Sequence, residues 1–164
     1  MNHLNNLLKK RMDLPALTEK IKQWREQGCK IVFTNGCFDL LHRGHVEYLA
    51  QAADHGDKLV IGLNTDASVN RLKGPTRPIN DEDARSAVLS ALGFVSAVVL
   101  FDEPTPLELI RQVQPDILIK GADYKPEDIV GYDIVTARGG KVVTITLTNG
   151  YSTSSIEQRI REKM

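Results

Sequence analysis

Cysteine is scarce in this chain: Cys29 and Cys37 are the only two, too few and too close in sequence for a disulfide framework, and no Cys-x-x-Cys pair offers a metal site. A reducing compartment is the simplest setting. Long apolar runs are missing as well. None approaches the ~18 residues needed to span a bilayer, and Met1–Met12 has no apolar core of signal-peptide length, so a cytoplasmic protein with no membrane partner is expected. An excess of either charge is absent too, with Lys plus Arg equal to Asp plus Glu at 21 each. No global field argues for nucleic acid or an anionic surface, and a phosphate ligand has to be held by local charge. The lack of a Gly-x-x-x-x-Gly-Lys-Ser/Thr loop argues against a P-loop hydrolase. The lack of Gly-x-Gly-x-x-Gly argues against a dinucleotide dehydrogenase.

What is present suits one soluble domain. Its 164 residues allow a full core but not a second sizeable unit, and 41% hydrophobic with 26% charged residues is ordinary globular composition. The central stretch is Thr34–His45, T-N-G-C-F-D-L-L-H-R-G-H. It follows the apolar run Ile31, Val32, Phe33 and precedes helical spacing over Val46–Ala53, which puts it at a strand-to-helix turn. Gly36 and Gly44 let backbone approach a ligand without a Cβ in the way. The unpaired N–H groups and the dipole at the helix start favour an anion there. His42 and His45, three apart, share one face at that start. Two imidazoles beside a phosphate can donate to oxygens that gain charge in a transition state. The alternative is one capping histidine and one surface histidine.

Around this stretch the chain alternates strands and helices. Asp13–Gly28 is predicted as an amphipathic helix, capped by Asp13, with Pro15 in its first turn and Leu14, Leu17, Ile21 and Trp24 as its apolar stripe. Leu4, Leu7 and Leu8 ahead of it form a short arm suited to a dimer interface, and residues 1–29 are a helical lead-in to the single domain 1–164. Strands are expected at Asp57–Asn64, Ala97–Phe101, Asp116–Lys120 and Lys141–Leu147. Helices are expected at Ala67–Leu72, Asn80–Leu92 with Asn80 as cap, Pro104–Gln114, Pro126–Ala137 and Ile156–Lys163. Asp81, Glu82 and Asp83 fall in a first helical turn, where the dipole favours acids without any metal.

The loop from Arg71 through Lys73 to Arg77 carries three cations and is either a solvated loop or a mobile clamp for a polyphosphate. Arg85, one turn into the helix beyond, faces that loop or solvent. Gly121-Ala122-Asp123-Tyr124 is another glycine-led turn at a strand end; Asp123 suits sugar hydroxyls or a base, and Tyr124 suits stacking. Ser152, Thr153 and Ser154 open the last helix as a second anion-friendly terminus, with simple capping as the alternative. The predicted fold is α/β: a Rossmann-like, doubly wound, parallel five-stranded sheet, with ligands outside the carboxyl ends of the strands.

Thr34-Asn35-Gly36-Cys37-Phe38-Asp39 with His42-Arg43-Gly44-His45 resembles the signature of the cytidylyltransferase-like nucleotidyltransferases. The resemblance continues through Arg71-Leu72-Lys73-Gly74, Lys120-Gly121-Ala122-Asp123-Tyr124-Lys125-Pro126-Glu127 and Gly150–Ile156. Over roughly residues 30–160 it looks like the adenylyltransferase domain of ADP-heptose synthase, which activates D-glycero-β-D-manno-heptose 1-phosphate with ATP. Bifunctional members carry a sugar kinase ahead of this domain. The resemblance therefore implies a stand-alone form, with a separate kinase supplying the sugar 1-phosphate; a homo-oligomer, a dimer, is expected beside it.

The expected roles follow from that resemblance and the residue chemistry together. His42 and His45 bind bridging and α-phosphate oxygens, and Lys73 closes over the phosphates. Thr34, Asn35, Gly36, Cys37, Phe38, Asp39, Gly44, Gly121 and Asp123 form the nucleotide site, with Ser152, Thr153 and Ser154 on the β- and γ-phosphates. Arg77, Arg85 and Tyr124 hold the sugar phosphate. Cys37 is a packing residue rather than a nucleophile, and Asp39 either orders the turn or touches ligand. Mg²⁺ arrives on the triphosphate, bound mostly by its oxygens and water, with no protein metal ligands assigned. Two other readings are a cytidylyltransferase for a small polyol phosphate such as glycerol 3-phosphate, and a non-catalytic nucleotide-binding regulatory module.

Overall fold

Buried apolar runs in this chain become strands covered on both faces, as expected for a parallel sheet. The computed structural model describes residues 2–123, 125–148 and 150–164. In chain order the elements are α1 (His3–Leu8), β1 (Arg11–Met12), α2 (Leu14–Glu26), β2 (Ile31–Gly36), α3 (Arg43–Ala53), β3 (Lys58–Asn64), α4 (Asp66–Lys73), α5 (Glu82–Ala91) and β4 (Val95–Phe101). They continue with α6 (Leu107–Val113), β5 (Ile117–Gly121), a 3₁₀ turn at Pro126–Asp128, α7 (Tyr132–Ala137), β6 (Lys141–Ile145) and α8 (Thr153–Lys163).

The strands form one all-parallel sheet in the order β1-β4-β3-β2-β5-β6. Alternate residues of each strand feed two cores. Phe33, Val60, Ala97, Val99 and Leu118 pack against Leu17, Ile21 and Trp24 of α2, Ile110 and Val113 of α6, and Val135 of α7. Val32, Ile61, Val98 and Ile119 pack on the other face against Leu49 and Ala52 of α3 and Leu89 of α5. From β2 the chain builds outward through β3 and β4, then crosses to β5 and β6 on the opposite side. The switch in direction lies between β2 and β5, and it opens a crevice at their carboxyl ends.

The sheet has six strands, not the expected five. The extra strand, β1, pairs Arg11 and Met12 with Val98 and Val99 at the outer edge. Two residues are too short for any alternation to register in the sequence. Other boundaries move for identifiable reasons. Asp81, not Asn80, caps α5 through the Ala84 amide at 2.7 Å, because Asn80 is bound to Asp39 instead. The helix expected over Pro126–Ala137 breaks at Gly131, whose φ is +94° and where a Cβ would lie 2.7 Å from Ile110 Cδ1. The Asp13 cap and Pro15 behave as expected, with Asp13 accepting from the Ala16 amide at 2.9 Å.

Candidate active site

The turn after β2 is built by bonds behind it. Asp39, 4% exposed, accepts from the Ile79 amide at 2.8 Å, the Asn80 amide at 2.9 Å and Arg77 Nε at 2.6 Å. Burial works against its charge, but the Asn80 and Ile79 amides and the Arg77 guanidinium outweigh that and hold the carboxyl below its usual range. Asp39 therefore orders the turn and anchors the loop that follows α4. Arg77 also pairs with Glu157 of α8, so the basic loop is tied to both the turn and the last helix. Lys73 ends α4 exposed at the lip of the cleft.

Arg85 is fully buried beneath this turn. Its guanidinium donates to the Cys37 and Asn64 carbonyls, each at 2.8 Å, to the Asn80 carbonyl at 3.0 Å and to Asp66 at 2.7 Å. Four of its five N–H groups are thereby committed to fastening the ends of β2 and β3 together. It does not line the cleft.

His42 caps α3, its Nδ1 accepting from the His45 amide at 3.4 Å. An accepting Nδ1 places the proton of a neutral His42 on Nε2. The two imidazoles stack with centroids 3.8 Å apart and planes 20° apart, and Phe38 meets His45 edge-on at 5.3 Å. Burial lowers the pKa of His42. Burial, helped by the nearby His42 and Lys73 charges, pushes His45 down to about 4. Both rings are therefore neutral at physiological pH and act as N–H donors rather than as cations. A Cβ on Gly44 would approach the His42 ring to 3.2 Å and Tyr151 Cβ to 3.4 Å. Gly44 thus makes room for a histidine and a loop, which differs from the ligand approach expected of it.

His45 and Phe38 line one cleft of about 500 Å³ at the β2/β5 crevice, whereas the expected site residues His42 and Gly44 are not part of its lining. Asn35, Gly36, Cys37, Phe38, Asp39, His45, Lys73, Arg77, Gly121, Asp123, Thr153 and Ser154, all expected site residues, line it. Thr34 lies beneath the cleft floor and shares a 2.8 Å hydrogen bond with the Tyr48 hydroxyl, whose pKa burial pushes up to about 12. Burial raises the Cys37 pKa more than its cationic neighbours lower it, so it stays a thiol. Ser152 caps α8 through the Ser155 amide at 3.0 Å in a reciprocal capping box, which leaves Thr153 and Ser154 to face the cleft. The expected role of Tyr124 falls outside the described residues. Two contacts hold the loop before α8 against α3: Arg43 stacks on Tyr151 at 5.3 Å, and Thr148 bonds Glu47 at 2.5 Å.

Lys120 also lines the cleft, donating to Asn35 Oδ1 at 2.5 Å, and it was not among the expected site residues. The available signal was a lone cation closing the apolar run Ile117-Leu118-Ile119 just before Gly121. Among the described residues no three His, Cys, Asp or Glu side chains converge as a metal site.

A doubly wound parallel sheet with two helix N-termini, a histidine pair and several cations at its switch point defines a Rossmann-like α/β fold of the nucleotidyltransferase type. The cytidylyltransferase-like family model matches residues 33–159, and the chain belongs to that family. Bifunctional protein HldE of Azorhizobium caulinodans is 57% identical over 141 residues, covering 86% of this chain and 29% of that protein. HldE of Caulobacter sp. is 54% identical over 158 residues, covering 96% and 32%. The chain thus spans about a third of the length of these curated relatives. A lipopolysaccharide core biosynthesis protein from Thermoplasma volcanium matches with TM-score 0.62 and 31% identity, covering 74% of this chain and all of that one. Pantoate-beta-alanine ligase from Francisella tularensis, 14% identical with TM-score 0.62, shares the fold.

Proposed function

We propose that this chain transfers AMP from ATP to D-glycero-β-D-manno-heptose 1-phosphate, giving ADP-heptose and pyrophosphate. The observation that carries the reading is the neutral His45 near the start of α3, stacked on the capping His42 and lining the same cleft as Lys73 and the head of α8. The likeness to HldE and to a lipopolysaccharide core biosynthesis protein supports the choice of sugar substrate. A phosphate monoester oxygen of the acceptor attacks the α-phosphorus in line. The new O–P bond forms as the bond to the bridging α,β-oxygen breaks, and pyrophosphate leaves with that oxygen. The monoester is already ionised, so no general base is required and positioning dominates. His42 Nε2–H and His45 donate to oxygens that gain charge, Lys73 neutralises the outer phosphates, and the N–H groups at the start of α8 hold the leaving group.

Mg²⁺ carried by the triphosphate would supply charge neutralisation. Asp39 is saturated by the Ile79 and Asn80 amides and Arg77, so the ion would be held by phosphate oxygens and water. The acceptor comes from a separate sugar kinase, the reaction runs in the cytoplasm, and the exposed Leu4 and Leu8 of α1 suit a homodimer contact. Pyrophosphate release from a panel of nucleoside triphosphates crossed with sugar and polyol phosphates tests the reading. Turnover with ATP and the heptose phosphate is expected. Turnover confined to CTP and a polyol phosphate, or tight nucleotide binding with no turnover, would overturn it.

A further inference from the structure

Lys120 ends the apolar run of β5, and its ammonium reaches across to Asn35 at the end of β2. Among the described residues, Asn35 is its one hydrogen-bonding partner, and no carboxylate lies within ion-pair distance of it. An ammonium carries three protons, and withdrawing it from water without an anionic partner is unfavourable. The cost is visible in its acidity: burial brings its pKa down to about 8. Arg77, by contrast, already has Asp39 and Glu157. A half-buried cation without a counter-ion, in a cleft that gathers two helix N-termini, is matched to an anion that arrives with substrate.

We propose that Lys120 is a substrate-binding residue whose ammonium takes a phosphoryl oxygen at the β2/β5 crevice, with Asn35 as the positioning residue that aims it. The oxygen belongs to the triphosphate or to the acceptor's phosphate monoester, chemically the same ligand for an ammonium. The inference rests on the adenylyl-transfer reading for the identity of these ligands, though not for the presence of an anion.

Other titratable groups line the same cleft. From the turn after β2 come Cys37 and Asp39, from α3 His45 and Tyr48, from α4 and its loop Lys73 and Arg77, and from the turn after β5 Asp123. Burial raises Cys37 and Tyr48, His45 lies near 4, and Asp39 is held low. Lys120 is the group brought to about 8. An anion docking on it restores the proton, so binding near that pH takes protons up from buffer.

Calorimetric titrations near pH 8, in buffers of different ionisation enthalpy, read this directly. The probes are the α,β-methylene analogue of ATP, inorganic pyrophosphate and heptose 1-phosphate, and the proteins are wild type, Lys120→Met, Lys120→Arg and Asn35→Ala. Wild type takes up a fraction of a proton with the ligand that Lys120 contacts, while Lys120→Met and Lys120→Arg take up none. Lys120→Met weakens that ligand by about 10-fold or more, the scale of a hydrogen bond to a charged group, and Lys120→Arg restores most of it. Loss confined to the ATP analogue and pyrophosphate places the contact on the triphosphate; loss confined to heptose 1-phosphate places it on the acceptor. Proton uptake that persists in Lys120→Met, or affinities for all three probes within about threefold of wild type, overturns the proposal. If Lys120→Met does not fold, retained uptake in Lys120→Arg overturns it equally. A wild type that binds pyrophosphate with proton uptake yet turns over no substrate pair would sink the adenylyl-transfer reading and leave Lys120 as an anion site.

Discussion

At the scale of single residues, the protonation state of the histidine pair decides what the site can do. With His45 near 4, that ring loses no proton in the neutral range and imposes no pH limb on turnover there, and burial lowers His42 as well. The folded-state pKa of His45 lies below its ordinary 6.5, so folding opposes its protonation. Its share of stability is complete above pH 6.5 and is lost as pH falls toward 4. A histidine-selective NMR titration is expected to show His45 Cε1–H unmoved from neutral pH down to about 5. His45→Ala is expected to lower kcat by about 10²-fold or more, the scale for removing one charge-stabilising donor. An unchanged kcat would remove His45 from its role. Residue identity alone showed that two imidazoles share a helix face; their neutrality depends on burial and on ring stacking, which no local spacing encodes.

At the scale of elements, the start of α3 carries opposing demands. Glycine in a helix is less favourable than alanine by roughly 1 kcal/mol, yet Gly44 sits in the first turn because a Cβ there would press on His42 at 3.2 Å. Gly44→Ala is therefore expected to leave the thermal midpoint near wild type. Its kcat should fall by about 10-fold or more, because small misplacements of a reacting group have large rate effects. A variant with full kcat would show that His42 has room to yield. The strand-turn-helix around Thr34–His45, the Asp13 cap and the glycine-led turn at Gly121 were legible in sequence because each rests on local chemistry. The inward turn of Arg85 was not. Its four acceptors come from Cys37, Asn64, Asp66 and Asn80, residues that only the packed sheet brings together. The same holds for Arg77, which reads as a free clamp cation until Asp39 and Glu157 are seen beside it.

At the scale of the molecule, the sheet separates stability from chemistry. β1 closes the far edge, with β4 and β3 between it and β2, and is fastened there by the Val98 amide on the Lys10 carbonyl at 2.8 Å and by Lys10 Nζ on the Leu92 carbonyl at 3.0 Å. Two such bonds are together worth about 2 kcal/mol. Deleting residues 2–12 is expected to lower the thermal midpoint by roughly 4–8 °C for a domain of this size. The kcat should change by less than about twofold, since distant sites act independently. A large loss of turnover in a folded deletion variant would show that the edge reaches the cleft.

The overall wind of the sheet was legible because α/β alternation permits few topologies. The sixth strand was not, since its pairing is a property of the β4 edge rather than of Arg11 and Met12. The proposed reaction is attack of a sugar phosphate oxygen on the α-phosphorus of ATP in this crevice. Its most direct test is ³¹P NMR of the products formed from heptose 1-phosphate labelled with ¹⁸O in its phosphoryl group. ADP-heptose carrying ¹⁸O in the bridge between its two phosphates, beside unlabelled pyrophosphate, is the predicted result; ¹⁸O in the pyrophosphate, or an unlabelled bridge, would contradict it.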